Sequence, residues 1–150
     1  MKTIFIGIDP GEKGGIACID TNENTSFTVP YSNKELIDLC RDVFGSYKEV
    51  VCCLEKVSAR PGQGVVSMFT FGQSVGYIKG VLESYFIPYQ EIVPRKWKNE
   101  FGLNSEKAAS AEVCRKLFPE VSLLETPRCK KPHDGMTEAL LMAEYARRKL

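Results

Sequence analysis

Short apolar runs and longer amphipathic segments alternate along the chain and predict an α/β fold. Residues 3–9 and 49–55 are apolar at nearly every position, which is typical of strands in a sheet covered on both faces. Two shorter strands are predicted at 15–20 and 26–29, and turns rich in Gly and Asn connect the first three strands. Because these connections are tight, we expect the first three strands to be antiparallel.

Helical spacing of apolar residues identifies most of the remaining elements. Ser32-Asn33 is a capping sequence for the first helix, and Ser105 for a later one. The helices are predicted at 33–45, 65–85, around Trp97, 105–117 and 134–148, and a further strand at 87–93. Phe69 and Phe71 are assigned to the core beneath the longest helix.

No repeat or long linker divides the chain, so a single domain over residues 1–150 is expected.

Composition agrees with a globular protein that functions inside a cell. The chain has 150 residues, of which 43% are apolar and 26% charged. No apolar run reaches the length of a membrane-spanning helix, and the N-terminal run is too short for a secretory signal, so a cytoplasmic location is expected. The six cysteines form no C-x-x-C pair and mostly lie in apolar segments, which disfavours a zinc site.

Four acidic residues stand where an ordinary core would not place them. Asp9 ends the first apolar run, and Glu55 ends the second. Asp134 and Glu138 are four residues apart in the last predicted helix, so they share one of its faces. Two strand ends and one helix face can bring these carboxylates together. Because clustered carboxylates repel each other, the group favours a divalent cation held by oxygen ligands, as in a metal-dependent enzyme.

Three of these acids also have a structural explanation. Asp9 precedes Pro-Gly, a common start of a turn, and Glu55 could pair with Lys56 or Arg60. Asp134 is well placed to cap the last helix, a role that is compatible with metal binding. The joint occurrence of all four acids favours the metal site over these separate explanations.

Basic residues are concentrated after residue 55. Residues 1–55 hold five Lys/Arg and nine Asp/Glu, whereas residues 56–150 hold fifteen and ten. Such clusters are either solvated faces or a contact surface for a polyanion such as DNA. Lys131 and Lys107 are also candidates for stabilising charge in a transition state. The candidate DNA-binding residues are Arg60, Gln63, Lys96, Lys98, Lys107, Arg128, Lys130 and Lys131.

Two features of the middle of the chain have two explanations each. Gly72, Gly76 and Gly80 form one stripe on the longest predicted helix, where glycine is unfavourable unless another surface approaches closely. That surface is either this chain's own sheet or a second copy of the chain. Trp97 lies between two lysines and either stacks on a base or anchors its short helix to the core, of which the second is favoured.

Four stretches of the chain, in order, resemble the RuvC family of Holliday-junction resolvases, within the retroviral-integrase/RNase H superfamily. They are IGIDPGEKGG, VVCCLEKV, MFTFGQSVGYIKGVLESYFIPYQEIVPRKWK and KKPHDGMTEALLMAEYARR. The first stretch alone is moderately specific, and the ordered set with an acidic C-terminal helix is much more so. Together they span nearly the whole chain, and their compactness is similar to that of phage-encoded members.

The resemblance implies an RNase H-like α/β fold, a five-stranded mixed sheet with the first three strands antiparallel, flanked by α-helices. It implies two Mg²⁺ ions, replaceable by Mn²⁺, held by Asp9, Glu55, Asp134 and Glu138. Because Asp9 is at the centre of the predicted sheet, we expect it to be the bridging ligand. The implied activity is structure-selective hydrolysis of branched DNA, giving symmetric nicks with 5′-phosphate ends. The implied partners are a four-way junction and, through the glycine stripe, a second copy of the chain. No organic cofactor is implied, and the location would be the cytoplasm of a bacterium or phage-infected bacterium.

The chain departs from the family pattern at two places. Bacterial members space the last two acids three residues apart, whereas here Gly135 precedes Glu138 by three, so Asp134 serves from one residue earlier or His133 shares the role. Bacterial members also carry an aromatic residue shortly after the middle glutamate, where this chain has Ser58, so no cleavage-sequence preference is predicted. Two other functions remain open: a nuclease of the same fold acting on flaps, replication forks or RNA–DNA hybrids, and nucleic-acid binding without catalysis.

Overall fold

The computed structural model of the chain describes residues 3–47, 49–103 and 107–150, except for the side chains of Lys107 and Ala108. The predicted cap Ser105 lies outside these ranges. The elements of the described part are β1 (Thr3–Asp9), β2 (Gly15–Asp20), β3 (Thr25–Pro30), α1 (Asn33–Val43), β4 (Glu49–Glu55), α2 (Val65–Ser84), β5 (Tyr89–Ile92), α3 (Pro94–Glu100), α4 (Lys107–Leu117) and α5 (Asp134–Lys149).

The five strands form one mixed sheet in the order β3-β2-β1-β4-β5. The pairs β1–β2 and β2–β3 are antiparallel, and the pairs β1–β4 and β4–β5 are parallel. This topology confirms the predicted fold class. In the β1–β4 register Ile8 lies opposite Leu54, so the carboxyl ends of the two strands are neighbours at one edge of the sheet.

Helices cover both faces of the sheet and enclose two cores. One core lies between the sheet and α3, α4 and α5, with Trp97 and Leu140 among its fully buried residues. The other lies beneath α1 and α2 and contains Leu36 and Ile78. Helix α5 is buried at eleven of its 16 positions, whereas α2 is buried at two of 20, Ile78 and Leu82.

The described elements agree with the predicted ones in type and order, with corrections at the level of single residues. The strand predicted at 87–93 is shorter, at Tyr89–Ile92. The cap of α5 is His133 and not Asp134, which is the first residue of the helix. The assignment of Phe69 and Phe71 to the core is wrong: Phe69 is 68% exposed, and Phe71 is half-buried but belongs to neither core.

The cysteines behave as the composition predicts. Five are buried and Cys129 is half-buried, and all six are free thiols. Burial raises the pKa of the Cys53 thiol to about 12, which keeps it protonated and unreactive. Within the described ranges, none of the helices combines the length and the apolar character that crossing a membrane requires.

Candidate metal centre

Three carboxylates meet where β1 and β4 end beneath the first turns of α5. Asp9 is the last residue of β1, Glu55 is the last residue of β4, and Glu138 lies one turn into α5. One oxygen from each side chain lies within 4.8 Å of the others. The parallel register of the two strands places the first two acids side by side, as the sequence predicts.

The start of α5 is fixed against the sheet by polar and backbone contacts. The Thr28 hydroxyl donates a hydrogen bond of 2.7 Å to the Met136 carbonyl, linking β3 to the first turn of the helix. Gly135 contacts the backbone of Gly14 so closely that a Cβ there would overlap it. These contacts hold the first turn of α5 over the β1–β2 turn, so Glu138 faces the two strand ends.

Burial and mutual repulsion dominate the electrostatics of the three carboxylates. Loss of solvation, followed by the charges of Glu55 and Glu138, raises the pKa of Asp9 to about 9. The pKa of Glu55 is also raised, mainly by burial, against the opposing effect of a hydrogen bond from Trp97. At neutral pH the metal-free site therefore retains a proton on Asp9, which hydrogen bonds to its acidic neighbours. A bound cation would replace that proton.

Trp97 supports the site from within the core. Its side chain is fully buried, and its Nε1 donates a hydrogen bond of 2.9 Å to Glu55 Oε2. The predicted core position of this residue is confirmed, and its hydrogen bond to an acid of the site was not foreseen. An indole that ties one carboxylate oxygen restricts the rotation of Glu55, as outer-shell partners do for metal ligands.

Lys98 is the basic residue that the described structure places beside the cluster. Its Nζ lies 4.0 Å from Glu138 Oε1 and 5.4 Å from the centroid of the Trp97 ring. Its charge also opposes the rise in the pKa of Glu55 that burial causes. Lys98 was predicted only as a DNA contact, and its position directly beside the acids was not predicted. Of the two lysines predicted to stabilise transition-state charge, Lys131 is exposed in the loop before α5, and the Lys107 side chain lies outside the described residues.

The structure does not add Asp134 or His133 to the three-carboxylate cluster. Asp134 is exposed and lines an open cavity of about 420 Å³ that also borders Asp9 and Glu138. His133 caps α5, because its Nδ1 accepts a hydrogen bond of 3.1 Å from the Met136 N–H. In this arrangement Nδ1 is engaged with the backbone of the first turn of α5.

Six other predicted DNA contacts lie at the surface in the part of the chain that the structure describes. Arg60 and Gln63 are exposed in the loop between β4 and α2, directly after Glu55. Glu55 lies close to the other acids and accepts a hydrogen bond from Trp97. These contacts favour the metal site over the alternative that Glu55 pairs with Lys56 or Arg60. The other exposed candidates are Lys96, Arg128, Lys130 and Lys131.

The donor set fits a hard divalent cation. The converging atoms are all carboxylate oxygens, the ligands that Mg²⁺ and Mn²⁺ accept, and no thiolate joins them among the described residues. The pKa of Asp9, raised by burial and then by the charges of Glu55 and Glu138, indicates that added positive charge would stabilise the ionised cluster. Three largely shielded acids at the end of a sheet are therefore chemically suited to such an ion.

Sequence comparisons with protein-family models and with curated proteins find no match. Among solved structures, RuvC of Thermus thermophilus in complex with Holliday junction substrate is similar, with a TM-score of 0.58 and 14% identity over 98% of this chain and 96% of that chain. A second Thermus thermophilus RuvC structure gives a TM-score of 0.56 and 15% identity, with coverage of 99% and 96%. At this identity the likeness shows a shared fold, and that fold is the one that the sequence motifs predict.

Proposed function

We propose that this chain is a structure-selective endodeoxyribonuclease that cuts four-way DNA junctions and other branched DNA by metal-assisted hydrolysis. The observation that carries the proposal is the convergence of Asp9, Glu55 and Glu138 within 4.8 Å at the end of the sheet. The fold shared with RuvC and the ordered sequence motifs support the choice of substrate class. The alternative substrates, flaps, forks and RNA–DNA hybrids, remain possible outcomes of the test.

Asp9, Glu55 and Glu138 would hold the ions, Mg²⁺ or Mn²⁺, and Asp134 is the predicted fourth ligand. When bound, a pair of such ions supplies an activated water and neutralises charge on the leaving oxygen. Trp97 keeps Glu55 oriented through its 2.9 Å hydrogen bond. The products expected from hydrolysis are a 5′-phosphate and a 3′-hydroxyl.

Lys98 is suited to help the reaction, because it lies beside the acids and has only a weak ion pair. Its Nζ is 4.0 Å from Glu138, and its side chain is 29% exposed. A cation in that position can contact a phosphate oxygen and oppose the charge that develops on it. Arg60, Gln63, Lys96, Arg128, Lys130 and Lys131 would contact the DNA, as predicted from the sequence, and Arg60 and Gln63 can reach phosphate or base edges.

A homodimer through α2 is part of the proposal. Residues 65–78 contain no charged side chain, and Val65, Val66 and Phe69 are between 68% and 85% exposed. An uncharged exposed helix face of this kind is a typical protein–protein contact surface. A dimer with two-fold symmetry would present two sites to a junction with approximate two-fold symmetry, and this would account for paired nicks.

The proposal is tested by cleavage of a labelled synthetic four-way junction in Mg²⁺, with duplex, flap and RNA–DNA hybrid as competing substrates. We expect paired nicks in the junction for the parent chain. Asp9→Asn should slow cleavage by more than about a hundredfold, beyond the loss expected for an outer-shell partner, while junction binding is kept. Asp42→Asn is the matched control, because Asp42 is an exposed acid on α1 and lies outside the carboxylate cluster.

The outcomes separate the candidate functions. Cleavage of flaps or hybrids in preference to junctions, still lost in Asp9→Asn, would retain the metal site and change the substrate. Equal cleavage by Asp9→Asn and Asp42→Asn would contradict the catalytic role of the cluster. Junction binding without cleavage in any divalent cation would favour a binding protein.

A further inference from the structure

Phe71 is an aromatic residue that the fold does not use for its cores. It lies in the second turn of α2, is half-buried, and belongs to neither of the two core clusters. Its described close neighbour is the turn after β1, where a Cβ on Gly11 would lie 3.2 Å from the ring atom Cε2. Gly11 has φ of +115°, a conformation that glycine adopts readily, so the turn can approach the ring this closely.

The ring lines the same cavity as the catalytic acids. The open cavity of about 420 Å³ is lined by Phe71 together with Asp9, Asp134 and Glu138 and with Pro10 and Gly11 of the turn after β1. A phosphodiester at the carboxylates would therefore have its flanking nucleoside inside this cavity. Lys13, on the same rim and exposed, is placed to meet a neighbouring phosphate.

The chemistry of the walls selects the part of the nucleotide that can face Phe71. The Phe71 ring offers a phosphate neither charge nor a hydrogen-bond donor, whereas a base is planar, uncharged and has a π face that stacks on an aromatic ring. The proline and glycine beside the ring carry no charged side chain to compete with the base.

We propose that Phe71 is the stacking surface for the nucleobase that flanks the scissile phosphate. This inference rests on the proposed nuclease function and names a substrate contact that it does not contain. Phe71 thereby determines how the DNA strand lies across the carboxylates. It contributes about a tenfold preference in rate for a correctly seated strand, in line with the effect of removing one stacking ring.

Photocrosslinking provides the direct test. A four-way junction carries 5-iodo-2′-deoxyuridine at single positions on each side of the cut, and the Asp9→Asn chain binds it without cutting it. Irradiation should crosslink the iodo base at one flank to Phe71, identified by peptide mass spectrometry. The crosslink should disappear with Phe71→Leu, which keeps an apolar side chain of similar size without the π face. No crosslink at either flank, or crosslinks only to other residues, would overturn the inference.

Single-turnover cleavage provides the second measurement. Phe71→Ala should cut about tenfold more slowly, and Phe71→Tyr should restore the rate. Phe44→Ala is the matched control, because Phe44 is 55% exposed after α1 and does not line this cavity. Thermal unfolding should be nearly unchanged in the Phe71 variants, since the ring belongs to neither core.

The two proposals fail in different ways. If the parent cuts no branched DNA at all, the proposed function fails. If the parent cuts and Phe71→Ala cuts as fast as Phe44→Ala, the nuclease stands and the stacking contact is wrong. If the parent prefers a flap or hybrid, the same crosslink is sought on that substrate, and its absence there rejects the contact.

Discussion

Two sets of glycines show how differently the two faces of this molecule are built. Beneath α5, a Cβ on Gly7 would overlap the Ala139 carbonyl, because the helix lies directly on the strand. On α2, a Cβ on Gly72, Gly76 or Gly80 would have no neighbour within 4 Å. Glycine loses the same conformational freedom on folding in both places. Among the described residues, close packing offsets this loss under α5, whereas no packing offsets it at the glycines of α2.

The difference shows that α5 is packed closely on the sheet, whereas most of α2 is exposed. Helix α5 carries Glu138 and is buried at eleven of its 16 positions, so its position relative to the strand ends is fixed by close packing. Helix α2 is uncharged from Val65 to Ile78 and is mostly exposed. The tight face is suited to hold three repelling carboxylates in place, and the open face is suited to a partner.

The largest effect is expected at Asp9, where the tight face holds a half-buried acid among like charges. Its pKa is raised to about 9 in the folded chain, against an ordinary value of 3.8. The folded state therefore binds this proton more tightly than the unfolded state does. The contribution of this proton to the free energy of unfolding is fully present below about pH 4. It is lost as pH rises toward 9, with a slope of up to about 1.4 kcal/mol per pH unit.

Urea unfolding of the metal-free chain at several pH values tests whether the free energy of unfolding falls as pH rises. The free energy of unfolding of the parent should fall from about pH 6 to pH 9 relative to that of Asp9→Asn, whose neutral amide cannot lose a proton there. Mg²⁺ should remove most of the difference and release protons on binding. Parallel pH profiles for parent and variant would show that the acids are not desolvated as the structure indicates.

Gly7→Ala tests the close packing of α5 directly. The new methyl group would meet the backbone at Ala139 and Ala143, which cannot move like a flexible side chain. We expect a loss of about 3 kcal/mol in the free energy of unfolding, at the upper end of overpacking effects. Thermal unfolding monitored by circular dichroism measures it. A change below about 1 kcal/mol would mean that α5 can slide away from β1, and the site would then be less rigid than proposed.

Trp97→Phe tests whether the tight face also orients a metal ligand. Phenylalanine keeps an aromatic ring in the core but removes the N–H that donates to Glu55. Mg²⁺ or Mn²⁺ affinity should fall by about 10- to 100-fold, as for other outer-shell partners, while junction binding is kept. Titration calorimetry with Mn²⁺ measures the affinity without relying on activity.

The same residue gives an independent readout in the parent chain. Trp97 is the only tryptophan of the chain and contacts Glu55 directly, so metal binding should change its fluorescence. Glu112→Gln, an exposed acid on α4, should leave that signal unchanged. If Trp97→Phe binds the metal as tightly as the parent does, the indole N–H does not orient Glu55 for metal binding, and Trp97 only packs in the core.

The sequence predicts the strands, the helices and the meeting of Asp9 with Glu55, because local patterns encode them. Continuous apolar runs mark β1 and β4, and parallel neighbours necessarily end at the same edge. Glu138 was found by its helical position beside an apolar face. The RNase H-like topology followed from a resemblance of ordered motifs, and the sheet order confirms it.

Contacts between distant segments were not predictable in the same way. The hydrogen bond of Trp97 to Glu55 joins residues 42 positions apart, and no spacing rule links them. Phe71 has the same apolar character as a core residue, so only its place beside Gly11 and the acids distinguishes it. The cap at His133 was missed because Asp is the commoner capping residue, although His133 lies one position earlier.

Gly76→Ala tests the open face and should have the smallest effect on the monomer. With no atom within 4 Å of the added methyl group, the isolated chain should gain about 0.5–1 kcal/mol from the higher helix propensity of alanine. In a dimer that packs through this stripe, the methyl group holds the helices apart, and Gly76→Glu places a charge between them. We therefore expect sedimentation to show a weaker dimer for Gly76→Ala and a monomer for Gly76→Glu, with paired nicks replaced by single nicks. If both variants are as dimeric as the parent, the chain associates through another surface, and the glycines of α2 remain exposed in the assembly as they are in the chain.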